Sequence, residues 1–167
     1  QNRSSRSALI VSARGSGSSR WLWMLWRFSI NSERNTRGFM AKKKSRSKIV
    51  KELDSVFSKF IRKRDSENEL CTCSTCGLRK PIKQMQAGHF MSRSKYSTRW
   101  DEENVHAQCA GCNMWKQGRQ YEMSIYIDQK YHPGKADELL RRSNGITKFS
   151  DAELIEKIKH YKDKPND

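Results

Sequence analysis

Four cysteines in two Cys-x-x-Cys pairs, Cys73 with Cys76 and Cys109 with Cys112, are the residues whose type and spacing point most directly to chemistry. Each pair turns two sulfurs to one side of a tight knuckle, and two knuckles supply the four thiolates that Zn²⁺ takes in a tetrahedral structural site. Between Cys76 and Cys109 lie 32 residues, more than the roughly 15 to 20 of a simple four-Cys site. Something is therefore inserted between the clips. The insert holds His89, Asn104 and His106, and the second knuckle runs directly into Asn113. A redox or disulfide use of the pairs is the competing reading. Two matched knuckles in a chain with an odd total of five cysteines favour structural Zn²⁺ in a reducing, cytoplasmic compartment. Cys71 falls outside both knuckles, and His132 and His160 have no partner within reach in sequence.

A histidine on a first strand, an asparagine opening a second, and an amide or imidazole at the start of a helix is the order in which the HNH nuclease motif presents its parts. At the same residues the chain resembles the NinG (Rap) family of lambda-type phage recombination proteins, HNH-like nucleases of branched recombination intermediates. The matching stretches are Phe60-Ile61-Arg62-Lys63-Arg64-Asp65, Cys73-Ser74-Thr75-Cys76-Gly77, Ala87-Gly88-His89-Phe90, Asn104-Val105-His106-Ala107-Gln108-Cys109, and Cys112-Asn113 with Lys116 and Gly118. They cover roughly Lys48 to Leu140. The chain departs from the family in having no Cys before Cys71 and Gln86 where members have Asp. It departs from the broader HNH class in having Gly88 where a metal-binding Asp or His often precedes the catalytic His.

The resemblance implies a metal-dependent endodeoxyribonuclease that hydrolyses phosphodiester bonds and leaves 3′-hydroxyl and 5′-phosphate ends. His89 is then the general base, a task suited to an imidazole. Asn113 is a ligand of a catalytic Mg²⁺ or Mn²⁺; its competing role is a helix N-cap. Asn104 ties the connecting loop back and so orients His89. His106, two residues on, could complete the metal's coordination where Gln86 and Gly88 cannot, with His89 a further candidate donor. Arg93, Lys95, Arg99, Lys116 and Arg119 are the cations placed to hold the DNA backbone, against the plainer reading of a solvated basic face. A zinc-ribbon DNA-binding protein without catalysis is the alternative from another class.

The elements that must position these residues can be read from periodicity. From Lys48 to about Asp65, Ile49, Val50, Leu53, Val56, Phe57, Phe60 and Ile61 recur at three- and four-residue steps, which predicts an amphipathic helix with Ser45 or Ser47 at its cap. Two brief strands, about Gln84 to Phe90 and Asn104 to Gln108, would carry His89 and Asn104, with a helix beginning near Asn113. Further helices are expected through Met123 to Tyr131, around Ala136 to Arg142, and from Asp151 to about Lys162, where Ser150 and Glu153 form a capping box.

The fold class expected is α+β: a small zinc-stapled ββα-metal core flanked by helices. Its divisions are 1–44 basic and disordered, 45–70 the first helix, 71–120 the core, and 121–167 the C-terminal helices. With 35% apolar and 31% charged residues the core must be small, and a bound metal would compensate.

A formal charge of +16, from 34 Lys and Arg against 18 Asp and Glu, makes nucleic acid the leading partner. No apolar run is long enough to span a membrane. Residues Gln1 to Phe39 carry seven Arg and one acidic residue and suggest disorder, a fusion scar or read-through upstream of a start at Met40, or an organelle transit peptide. Symmetrical resolution of a junction would call for a homodimer, yet no heptad or other self-pairing pattern is present.

Overall fold

The computed structural model describes residues 44–165, so the expectations for Gln1 to Phe39 and for a start at Met40 lie outside the described residues. Residues 44–165 lie in one compact unit.

The first helix, α1 (Arg46–Arg64), turns Ile49, Leu53, Phe57, Phe60 and Ile61 inward, as the periodicity predicts. Burying each such side chain contributes about 1.5–3 kcal/mol. Ser45 holds the N-cap position, but its side chain makes no capping bond. Three basic residues, Arg62, Lys63 and Arg64, sit in the last turn, where they complement the exposed carbonyls.

Three very short strands that the sequence reading does not separate follow: β1 (Ser66–Glu67), β2 (Leu70–Thr72) and β3 (Arg79–Pro81), an antiparallel sheet in that order. They lead through a turn of 3₁₀-helix, Ile82–Gln84, into the hairpin of β4 (Met85–His89) and β5 (Val105–Cys109). Its register pairs Gln86 with Gln108, Gly88 with His106 and His89 with Val105. Asn104 therefore stands just before the second strand rather than inside it.

Beyond β5 the expected helix start at Asn113 is corrected. Gly111–Trp115 is a single turn of π-helix, closed by the Lys116 N–H on the Gly111 carbonyl at 3.1 Å, and Asn113 lies in its middle. Ala110, not Asn113, is the cap residue, so the capping role falls away. Arg119, in the left-handed conformation, then starts α2 (Gln120–Lys130), followed by α3 (Lys135–Ser143) and α4 (Asp151–Asp163). The Ser150–Glu153 capping box is present at α4.

The largest core cluster lies between α1, α4 and the hairpin, where Leu53 and Phe57 meet Leu154, Ile158, Trp100, Ala87 and Val105. Tyr161 stacks edge-on against Phe57, with ring centres 4.8 Å apart, and donates to the Trp100 carbonyl. A second cluster contains Cys73, Cys109 and Cys112 together with Cys71, Met85 and Ala107. The sulfurs thus lie at one end of the hairpin and His89 at the other.

Candidate active site and metal centre

Cys73, Cys76, Cys109 and Cys112 come together with all four sulfurs within 4.8 Å of one another, an arrangement that could hold a metal such as zinc. Burial raises the Cys73 thiol, but hydrogen bonds from the Thr75 hydroxyl and from backbone N–H groups, that of Cys109 among them, outweigh it and bring it to about 6. Cys76 goes the other way. The Leu78 N–H favours its thiolate, but burial and the adjacent sulfurs of Cys73 and Cys112 push it to about 12. Four sulfurs this close cannot all carry charge without a cation among them, so the donor set fits Zn²⁺. Cys71 is fully buried, donates its thiol to the Arg62 carbonyl at 3.1 Å, and takes no part.

Along β4, an open cleft of about 400 Å³ is lined by Gln86, His89, Arg93, Asn113, Gln117 and Gly118 among others. Asn113 Nδ2 donates to Gln86 Oε1 at 2.7 Å, which ties the π-helix to β4, and among the described residues the Asn113 oxygen has no hydrogen-bond partner. His89 Nε2 lies 3.0 Å from the Arg99 carbonyl. Burial, with the Arg93 charge adding to it, pushes the imidazole down to about 4 against the opposing pull of the Arg99 and Ala87 carbonyls. The ring is therefore neutral near pH 7; if it donates Nε2–H to Arg99, its Nδ1 lone pair is left to accept a proton. Among the described residues no carboxylate lines this cleft. The available donors are neutral carboxamide oxygens, hard ligands of the kind Mg²⁺ or Mn²⁺ accepts.

Asn104 is completely buried. Its amide binds the backbone of the long hairpin loop at Met91 and also donates to the Thr98 carbonyl at 2.9 Å. The loop that supplies the Arg99 carbonyl to His89 is thereby fixed.

His106 is not brought to the cleft, and its assignment to a catalytic ion is corrected. The ring is completely buried, with Nε2 3.0 Å from the Glu103 carbonyl and Nδ1 3.0 Å from the Arg64 guanidinium. Lys130 lies 3.5 Å away. A ring with both nitrogens engaged and two cations beside it is a poor place for a third positive charge. Its nearest carboxylate, Asp65, lies 3.7 Å from Nδ1, accepts the Ala107 N–H at 2.8 Å and pairs with Arg64 and Lys130. Sequence reasoning missed this network, although Arg64 and Asp65 stood in the stretch that carried the resemblance.

The expected DNA-gripping cations divide. Arg93, Lys95 and Lys116 are exposed and have no ion-pair partner among the described residues. Arg99 is corrected to a structural role: it grips Asp54 with two hydrogen bonds, at 3.0 and 2.6 Å, and donates to the Arg93 carbonyl. Arg119 is paired with Glu122, with its Nε 2.7 Å from the carboxylate. Among the described residues no helix is long and apolar enough to cross a membrane.

The chain matches the family described as bacteriophage lambda NinG protein over residues 29–167 and belongs to that family. No curated protein matches the chain. No solved structure matches it either.

Proposed function

We propose that the chain is a metal-dependent endodeoxyribonuclease of ββα-metal type, acting on DNA that includes branched recombination intermediates, with Zn²⁺ in the four-cysteine cluster. The observation that carries this reading is the convergence of His89, Asn113, Gln86 and the exposed Arg93 on one cleft. The sulfur cluster and Asn104 hold the two ends of the same hairpin.

In this reading Arg93, Lys95 and Lys116 seat the backbone by its phosphates without reading bases. His89 Nδ1 takes a proton from a water whose oxygen forms the new bond to phosphorus. The bond to the 3′ oxygen breaks, and that oxygen leaves with a proton from solvent, giving a 3′-hydroxyl and a 5′-phosphate. A divalent ion at the carboxamide oxygens, Asn113 foremost, would supply neutralisation of the charge on the phosphoryl and leaving oxygens. Asn104 acts at a distance by fixing the loop whose Arg99 carbonyl holds the His89 ring.

Supercoiled plasmid incubated with Mg²⁺ or Mn²⁺ tests the proposal. Nicking is expected, and His89→Ala should lower its rate about 10²- to 10⁴-fold. Salt-sensitive retardation of the plasmid without any nicking would instead identify a non-catalytic zinc-ribbon binder. The same assay on a synthetic four-way junction and a linear duplex ranks the substrates.

A further inference from the structure

Gln108 is completely buried in β5. Its Nε2 donates to the Gly118 carbonyl at 2.8 Å and to Thr75 Oγ1 at 3.2 Å. The reversed amide would set oxygen against the Gly118 carbonyl, so its orientation is determined. Oε1 then faces Gly88, where a Cβ would fall only 1.9 Å from it. Among the described residues that oxygen has no hydrogen-bond partner. Leaving a buried acceptor unmet costs about 1–3 kcal/mol, a cost that a bound ligand would remove.

The place is also informative. Gly88 immediately precedes His89, and Gln86, Gly88 and Gln108 share one face of the hairpin. Gln86 is bonded to Asn113, and Gly118, whose carbonyl orients Gln108, lines the same cleft as His89. The space that a side chain at position 88 would enter is taken by an oxygen from the opposite strand.

We infer that Gln108 Oε1 is an oxygen ligand of the catalytic divalent ion, reaching across from β5 to fill the place left by Gly88; this rests on the metal-dependent reading above. A carboxamide carbonyl is a hard neutral donor of the kind Mg²⁺ and Mn²⁺ accept. It also makes Gly88 obligatory, because any Cβ there would collide with the ligand. Neutral donors from Gln108 and Asn113 leave the negative charge to the DNA phosphate, so the ion binds well only together with DNA.

The test titrates Mn²⁺ against the full, zinc-loaded chain, reading the free-ion electron paramagnetic resonance signal, with a short duplex ending in 5′-phosphates as the DNA ligand, its integrity checked on a gel after each reading. Gln108→Met keeps the length and removes the oxygen, and should weaken Mn²⁺ binding about tenfold. Gln108→Glu places a charged oxygen at the same point and should tighten binding about tenfold and reduce its dependence on DNA. Zinc content and thermal melting report whether each variant is folded, and the Glu variant decides the matter should the Met variant fail to fold. Unchanged Mn²⁺ affinity in a folded variant, alongside plasmid nicking by the wild-type chain, would assign the oxygen to a buried water, overturning the ligand role while the nuclease reading stands. Wild-type chain that neither nicks plasmid nor takes up Mn²⁺ with DNA would remove both.

Discussion

Asn104 grips Met91 by both backbone groups: its Oδ1 accepts the Met91 N–H at 2.6 Å and its Nδ2 donates to the Met91 carbonyl at 3.0 Å. With the bond to Thr98 this makes three hydrogen bonds from one buried amide, each contributing about 1 kcal/mol. Asn104→Ala should therefore lower unfolding free energy by about 2–4 kcal/mol in urea titrations. In the nuclease assay it should lower the turnover rate more than apparent DNA affinity, because the ring it positions at a distance is His89.

Metal removal should act on the fold before it acts on chemistry. Cys73, Cys109 and Cys112 pack in an apolar group with Met85 and Ala107 at the base of the hairpin, so stripping a bound metal would leave thiols crowded in a small core. One zinc per chain is expected by elemental analysis, and a chelator should lower the melting temperature. Cys109→Ser should lose the zinc as well, whereas Cys71→Ser should retain it, since Cys71 bonds only to the Arg62 carbonyl.

Asp65 predicts how stability varies with pH. Burial alone would raise its carboxyl, but His106, Arg64 and Lys130 together hold it well below the usual carboxylate range. A folded-state pKa below the unfolded one gives stability that is present above about 3.8 and is lost as pH falls. Asp65→Asn leaves Arg64 and the half-buried Lys130 without their carboxylate and should cost about 3 kcal/mol at pH 7. At pH 3 the difference between variant and wild type should shrink; a constant difference at both pH values would contradict the assignment.

On the proposed mechanism His89 sets an unusual acid limb. Because burial, helped by Arg93, brings it to about 4, the ring is deprotonated and able to accept a proton at every pH above about 5. Single-turnover cleavage should hold level from pH 8 down to about pH 5.5, where a histidine at its ordinary value of about 6.5 would already have lost about tenfold. A profile that bends near 6.5 would show that burial does not hold the ring neutral at low pH, and no dependence on the ring in His89→Ala would remove it from the role of base.

The two kinds of arginine separate by experiment. Replacing Arg93 or Lys116 with Ala should weaken DNA binding and lower the slope of log affinity against log salt by about one for each phosphate no longer neutralised. Arg99→Ala should instead reduce stability by about 1.5–3 kcal/mol, since its charge-assisted bonds go to Asp54.

These contrasts mark what was legible in the sequence. Cys73, Cys76, Cys109 and Cys112 announced a cluster that could hold a metal because knuckle spacing is local, and the stripe from Ile49 to Ile61 announced a helix for the same reason. His106 and Arg99 were misassigned because their partners, Arg64 and Asp54, lie far off in the chain, at separations of 42 for Arg64 to His106 and 45 for Arg99 to Asp54. Residue type tells what a side chain can bond, while only the fold tells what it meets. Asn113 looked like a cap because Asn at a helix start usually is one, and nothing in Gly111–Trp115 signals the wider turn. Gln108 gave no sign at all, since its position against Gly88 depends on the hairpin register.

The pairing of α1 with α4 has a consequence for any attempt to reduce the protein to a minimal fragment. Leu154 and Ile158 help seal the apolar side of the hairpin with Leu53 and Phe57, and Arg46 and Glu52 bond to Asp151 and Lys162 across the seam. Trimming the chain to 71–120 would retain every cluster cysteine, His89 and Asn113 yet strip the wall behind Ala87 and Val105. Such a peptide would be a set of ligands without a shape, and protease sites near residue 150 would mark where the intact molecule comes undone.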